Sequence, residues 1–378
     1  MRTEIVVIGG GIIGCAAAAV LADRGARVTL VERTAIAAGA SGRNLGAIQH
    51  PFDPVLAPLY RESLSRYRAL ADATGDFRIA REPAGLLLLN RDAEAAAIQA
   101  KRQREAVPEL AAAFLSPDEV VRVEPSLRHG PAAVRLATGF PVPPASVTHA
   151  WARIAEERGA TMLLGSAARP VLESATVAGA VLDDGTRLSA DAVLVAAGPW
   201  TPGLADPTGA WSPIRATWGV TLQLRLDGSA PRHIVEEDEL DTINRAAAAT
   251  ERAAADLEGD PPSLFSIASA DGISTLGSTF LPAEPDPGRV APLLLRRAVE
   301  FLPAVEGAEI VERRLCARPQ SVDGRPFIGR FPGVDGLYVC AGHGPWGIST
   351  GPASAAMVAR AILDGTPPPA ALDATRAT

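Results

Sequence analysis

Lysine is almost missing from this chain: of 36 basic residues, all but Lys101 are arginine. Aromatic residues make up 4%, cysteines number 3 and histidines 5. The 43 acidic residues leave a net charge of −7. No positive field exists to offset phosphates, which argues against a nucleic-acid binder. Cys15, Cys316 and Cys340 are odd in number, and their spacing fits neither a metal site nor a disulfide framework. No metal is expected. Cys15 and Cys340 sit in apolar contexts and read as small buried hydrophobes, a pattern that fits a reducing, cytoplasmic setting. Long apolar runs are absent too. The longest candidate, "IVVIGGGIIGCAAAAVLA", is broken by glycines and followed at once by "DRGARV", so neither a signal peptide nor an integral membrane segment is expected.

What is present is an ordinary globular composition: 378 residues, 47% hydrophobic and 21% charged, enough for two domains or one large one. Strand 3–8, helix 13–24 with Gly25 beyond it, and strand 27–31 read as a βαβ unit, which implies a parallel sheet. Helices are expected over 54–74, 93–105, 146–158, 291–301 and 350–363. Strands are expected over 84–90, 161–164, 178–182, 192–195 and 336–341. A "DDG" turn stands at 183–185, and "ADG" marks a hairpin inside 263–280. The acidic, then Ala-rich stretch 236–262 reads as an exposed helix and loop, either a solvated insertion or a cover for the site. The texture alternates α/β with β-rich segments. The expected fold is therefore α/β with one discontinuous α/β domain (1–76, 145–210 and 312–378) and an inserted antiparallel-sheet α+β domain (77–144 and 211–311).

Gly9-Gly10-Gly11-Ile12-Ile13-Gly14 is a G-x-G-x-x-G between a strand and a helix. Gly9 permits the tight turn, Gly11 lets the backbone approach a pyrophosphate, and Gly14 allows close helix–strand packing. The helix N-terminus offers unpaired N–H groups to the anion. Glu32 ends the next strand, where a carboxylate accepts hydrogen bonds from ribose hydroxyls. FAD and NAD both fit this turn. The chain then leaves after one βαβ unit and returns at "VLVAAGPW" and "LYVCAGHGPWGIS", with a second small-residue loop, "AAGASGRNLGAI", at 37–48. That layout suits a long, extended cofactor. "CAGHGPWGIST" (340–350) poses the same question again: a second glycine-rich strand-to-helix turn, more than three hundred residues on.

These motifs carry a resemblance. "IVVIGGGIIG…VTLVER", "GASGRNLG", "DAVLVAAGPW", "ARPQSVDGRPFIG" and "GLYVCAGHGPWGIS" are similar to the FAD-dependent amino-acid oxidoreductases of the D-amino-acid oxidase superfamily, in particular its glycine oxidase, sarcosine oxidase and D-amino-acid dehydrogenase branch. The resemblance covers nearly the whole chain; only 200–310 is weakly diagnostic. It implies a Rossmann-like FAD-binding domain with an inserted substrate domain. The first loop (Gly9, Gly11, Ile12, Ile13, Gly14) with Glu32 and Arg33 would hold the dinucleotide, helped by Ser41, Arg43, Asn44 and Leu45 and by Val171, Ala197, Gly198 and Trp200. The second loop (Gly342, Gly344, Pro345, Trp346, Gly347, Ile348) would lie beside the pyrimidine edge of the flavin, its helix dipole facing charge that develops there.

In the resemblance, Arg318 of "CARPQSVDGRP" grips the substrate carboxylate, since a guanidinium fork matches a carboxylate bidentately. An ion pair with Asp323 is the structural alternative. Cys316 stands where one branch links the flavin covalently. The surrounding motif departs from that branch, so non-covalent FAD is favoured and a Cys316 link is the alternative. The oxygen-activating lysine of sarcosine oxidases has no match, because Lys101 lies elsewhere. His50 and His343 fall in loops expected near the flavin, to tune it, to take a substrate proton, or simply to be structural. Trp218 and Trp346 are candidates for pocket walls. The implied reaction is oxidation of glycine, sarcosine, proline or a D-amino acid to the imine, with oxygen or another acceptor taking the electrons. The alternatives are a 2-hydroxy-acid oxidoreductase of the same superfamily and a flavin-carrying subunit of a larger assembly.

Overall fold

The computed structural model describes residues 2–238 and 263–377. Its first sheet grows around Glu4–Ile8, which pairs in parallel with Arg27–Glu32 on one side and Ala192–Val195 on the other. From edge to edge the six strands run Phe327–Arg330, Leu337–Ala341, Ala192–Val195, Glu4–Ile8, Arg27–Glu32 and Thr161–Leu164. Side chains alternate across it: Ile5 and Val7 enter one core, Val6 and Ile8 another. The first core surrounds the helix Ile12–Asp23. That helix is Ala-rich and buried nearly all round, packed against Ser146–Glu157 and Gly347–Asp364. Its small residues let these helices approach closely, which explains why it has almost no polar face. A small antiparallel sheet, Ala168–Glu173, Thr176–Leu182 and Arg187–Ser189, closes the second core, with the expected turn at 183–185.

The second large sheet has eight strands in the order Glu309–Ser321, Ile214–Arg225, Ile273–Thr279, Ser263–Ala270, Ile234–Glu237, Leu86–Asn90, Ala132–Leu136, Ala113–Leu115. All neighbours are antiparallel except Ile234–Glu237 with Leu86–Asn90. The "ADG" hairpin is present: Asp271 (φ 49°) and Gly272 (φ 78°) both sit in the left-handed region that a two-residue turn needs. Along Ile214–Arg225 the period of two is plain. Val220, Leu222 and Leu224 pack under the helix Pro287–Val299, while Thr221 faces the site described below.

Several boundaries differ from those read in the sequence, each for a local reason. The helix expected over 350–363 starts at Gly347, because "GIS" forms its first turn rather than a loop. The one expected over 291–301 starts at Pro287: the Asp286 carboxylate accepts from the Gly288 N–H at 2.8 Å, an N-cap with proline at the first helical position. Helix 54–74 begins only at Ala57. The Glu309–Ser321 strand is continuous and belongs to the eight-stranded sheet, so a boundary at 311/312 cuts through it. The stretch 236–262 is not solvated at its start. Glu236 and Glu237 are buried on the strand Ile234–Glu237, its parallel pairing with Leu86–Asn90 masked in the sequence by acidic composition. The remainder, 239–262, lies outside the described residues. Among the described residues no helix is long and apolar enough to cross a membrane.

Candidate active site

Both glycine loops open onto one cavity of about 1180 Å³, bounded by the six-stranded sheet on one side and the face of the eight-stranded sheet on the other. A drug-sized ligand needs roughly 300–1,000 Å³, so an extended dinucleotide together with a small substrate is a fitting occupant.

The first loop is shaped by what its glycines touch. A Cβ on Gly14 would stand 1.8 Å from the Gly9 carbonyl oxygen, and one on Gly9 would stand 2.5 Å from that of Ala196. Gly9 also has φ 118°. These contacts press the helix Ile12–Asp23 onto the sheet and aim its N-terminus at the cavity. Gly11, its N-cap, supplies no side-chain cap, and the Ile12 N–H donates to Ser41 Oγ at 2.9 Å. Glu32 is held by donors: Gly10 N–H to Oε2 at 2.7 Å, and Thr34 N–H and Oγ–H to Oε1 at 3.0 Å each. Beside it the Arg33 guanidinium lies 4.1 Å from the centre of the Trp200 ring, a cation–π pair at the cavity wall.

The second loop answers the repeated motif. The helix Gly347–Asp364 also starts without a side-chain cap, and Gly347, Ile348 and Ser349 line the cavity. Two helix N-termini, from opposite ends of the chain, thus bring positive dipole ends to one cavity. The segment 41–45, which runs out of the short helix Ala40–Arg43, lines the same cavity. Arg314, buried, fastens it by donating to the carbonyl oxygens of Gly42 (3.3 Å) and Asn44 (2.9 Å), and Arg43 donates to the Leu315 carbonyl at 3.1 Å.

Arg318 lies on the same cavity-facing side of its strand as Arg314 and Cys316. It donates through one terminal nitrogen to the Thr279 carbonyl (2.8 Å) and through the other to Ser278 Oγ, and its guanidinium carbon lies 4.7 Å from the centre of the Phe280 ring. Burial pulls its pKa down from the usual arginine value. Asp323, the alternative partner, is taken by Arg376, and among the described residues no carboxylate is paired with Arg318.

His343 lines the cavity, buried, with Nε2 lacking a hydrogen-bond partner; burial lowers its pKa to about 3. It is neutral at ordinary pH and too weak a base to hold a proton taken from substrate. His50 is not in the cavity lining. Its ring packs edge-on against Tyr60, centroids 5.0 Å apart. The reason is alternation: Ala47 and Gln49 line the cavity, whereas Ile48 and His50 point away. Gly14 and Gly342 also fall outside the lining; Gly342 packs against Ile214 and Ser321. Val171 is in the small antiparallel sheet, and Ser166, Ala167 and Ala168 occupy the wall instead, a register difference of a few residues. The other expected residues of both loops and of 197–200 line the cavity, as do Cys316, Trp218 and Trp346; Lys101 is exposed on the helix Ala93–Ala106. Sequence reading missed Gln49, Glu236, Ser266 and Ser278, which form a polar wall. For Gln49, Glu236 and Ser266 the signal was the two-residue period of their strands; Ser278 departs from it, since Leu276, two residues earlier, lies in the opposite core.

The family model described as DAO, FAD dependent oxidoreductase, matches residues 4–361. A glycine oxidase of Bacillus licheniformis is 27% identical over 96% of this chain and 93% of its own length. One of Pseudomonas aeruginosa is 29% identical over 97% and 96%. The solved structure of glycine oxidase from Bacillus cereus ATCC 14579 superposes with a TM-score of 0.83 at 25% identity, covering 99% of this chain and 98% of that one.

Proposed function

The chain belongs to the DAO family of FAD-dependent oxidoreductases, and from that premise we propose that it oxidises the α-carbon of an amino acid or N-alkyl amino acid, yielding the imine. The observation that carries this reading is Arg318: a guanidinium on the cavity wall, fixed by Ser278 and Thr279, with no carboxylate paired to it among the described residues.

When bound, FAD supplies the two-electron acceptor for the substrate's hydride. The first loop, from Gly9 to Ile13, would hold its pyrophosphate. Glu32 would meet a ribose, Arg33 and Trp200 would flank the adenine side, and the N-terminus from Gly344 to Ile348 would face the pyrimidine edge. The remaining chemistry is positional. Arg318 takes the substrate carboxylate with its free N–H groups, and that grip fixes the direction of the α-C–H bond. The α-carbon gives up a hydride, the nitrogen gives up a proton, and the C=N bond forms; water then hydrolyses the released imine. Neutral His343 offers Nε2 as a fixed polar contact rather than as a base. Trp218 and Trp346 wall the cavity and limit the water that reaches it. Oxygen or another acceptor then takes the electrons. The free cysteines suit the cytoplasm. We also take the residues of the six-stranded and eight-stranded sheets as FAD-binding and substrate domains, with the boundary after Ser321 rather than at 311/312.

Anaerobic addition of glycine, sarcosine, D- and L-proline and D-alanine to the purified protein tests the reading. Bleaching of the oxidised flavin bands by at least one is expected, with Arg318→Gln needing far more of the same substrate. A yellow protein that none of them bleaches would move the 2-hydroxy-acid reading ahead.

A further inference from the structure

The face of the eight-stranded sheet that bounds the cavity continues beyond it. Thr221 and Ser266 line the cavity. Two residues further along the same strands, in the same phase, Gln223 and Ala268 flank Thr275 in one row across the sheet. That row and the next, Ala270 opposite Ile273, line a second, smaller pocket of about 140 Å³, closed from the other side by Val142, Pro143 and Pro144. Leu45 lines both pockets. A Cβ on Gly277 would stand 3.7 Å from Leu45 Cδ1, so this side chain rests over a sheet position that carries no side chain of its own. Arg314 fastens the partition, donating to the Asn44 carbonyl at 2.9 Å and to Thr275 Oγ1 at 3.4 Å. At the outer end of the pocket Asp271, in the hairpin turn, is exposed. The pocket thus leads from the surface to Leu45.

An amino acid held by Arg318 does not reach it. Arg318 is paired across the sheet with Thr217, and Gln223 lies six residues on, about 20 Å at the rise of a strand. Among the described residues the lining carries no cationic group, so a carboxylate or phosphate finds no partner there. Apart from Gln223, Thr275 and Asp271 it is aliphatic. Apolar cavities of this size stay dry and take up small apolar molecules, xenon among them. We infer that the pocket is an entry site for dioxygen, with Leu45 as its gate to the cofactor cavity, and that oxygen is the electron acceptor. The inference rests on the FAD reading of that cavity, not on the identity of the amine. Dioxygen arriving by this route takes up two electrons and two protons and leaves as hydrogen peroxide.

Crystals of the wild type under xenon pressure should show xenon in the side pocket. A pocket holding ordered water alone overturns the site, whatever the activity. The holoprotein is then reduced by light, with no amino acid present, and mixed with oxygenated buffer. Ala270 is half-buried and outside the lining of the large cavity. Ala270→Phe should therefore keep the visible spectrum and the rate of bleaching by substrate, and lose the xenon. Its reoxidation should slow about fivefold or more, as when access is gated and the chemistry is not. Ala270→Ser, which leaves the pocket open, should reoxidise like the wild type. Ile273→Trp blocks the pocket from the facing strand and makes the same comparison if Ala270→Phe does not fold. Reoxidation at the wild-type rate in a folded, yellow blocking variant overturns the route. A wild type that oxygen fails to reoxidise overturns oxygen as the acceptor and leaves amino-acid oxidation standing.

Discussion

A Cβ on Gly219 would stand 2.4 Å from both terminal nitrogens of Arg318. The neighbouring strand thus keeps a bare backbone where the guanidinium lies, and Gly219 is a positioning residue for it. The tip of an arginine moves more easily than a sheet, so Gly219→Ala should fold and keep its flavin while displacing the guanidinium. The expected outcome is a dissociation constant for carboxylate substrates raised roughly tenfold, with an unchanged visible spectrum and melting temperature. A variant with wild-type substrate affinity would remove the anchor's dependence on this glycine.

His343 makes acid stability a direct readout of the site. Its folded pKa is lowered to about 3 from an ordinary 6.5, by burial. Between those values the unfolded chain binds a proton that the folded chain refuses, so stability rises with pH. The contribution is complete above about 6.5 and is lost progressively as pH falls towards 3. His50 shifts the same way, first through burial and then through the Arg61 charge. Urea midpoints should therefore drop between pH 7 and 5, with a shallower slope in His343→Gln. Parallel slopes in the two proteins would mean that His343 is not buried neutral.

Cys316 is a buried free thiol on the cavity wall, two residues before Arg318. Acid precipitation should leave the yellow colour in the supernatant, and Cys316→Ser should retain its flavin. Colour that stays in the pellet, and is lost from the pellet in Cys316→Ser, would establish a covalent link.

The elements legible in the sequence were those whose pattern is local. Gly9 to Gly14 sits between an apolar strand and an apolar helix, and Asp271-Gly272 sits between alternating strands; both folded as read. The cavity's second wall was not legible, because it is assembled from residues that only strand register brings together. Glu236 meets Ser266, Ser266 meets Gly277, and Gln49 reaches Glu236 across 187 positions. Acidic composition disguised Glu236 and Glu237 as surface. Yet Glu237 turns to the helix side, where it pairs with Arg297, while Glu236 turns to the cavity. His50 was misplaced for the complementary reason: a histidine in a loop expected near the flavin draws attention, while the glutamine one residue earlier occupies the cavity-facing phase.

The middle of the six-stranded sheet joins Glu4–Ile8, Ala192–Val195 and Leu337–Ala341 side by side. On a ribosome these strands emerge far apart in time. At about 5–20 residues per second, roughly seven to thirty seconds pass between the second and the third. Throughout that interval Ala192–Val195, buried in the finished protein, has one bare apolar edge. The second helix N-terminus has not yet been made. The cavity is therefore complete only once both helix N-termini exist, so a chain stalled before residue 337 presents a bare strand edge and an unfinished cavity wall.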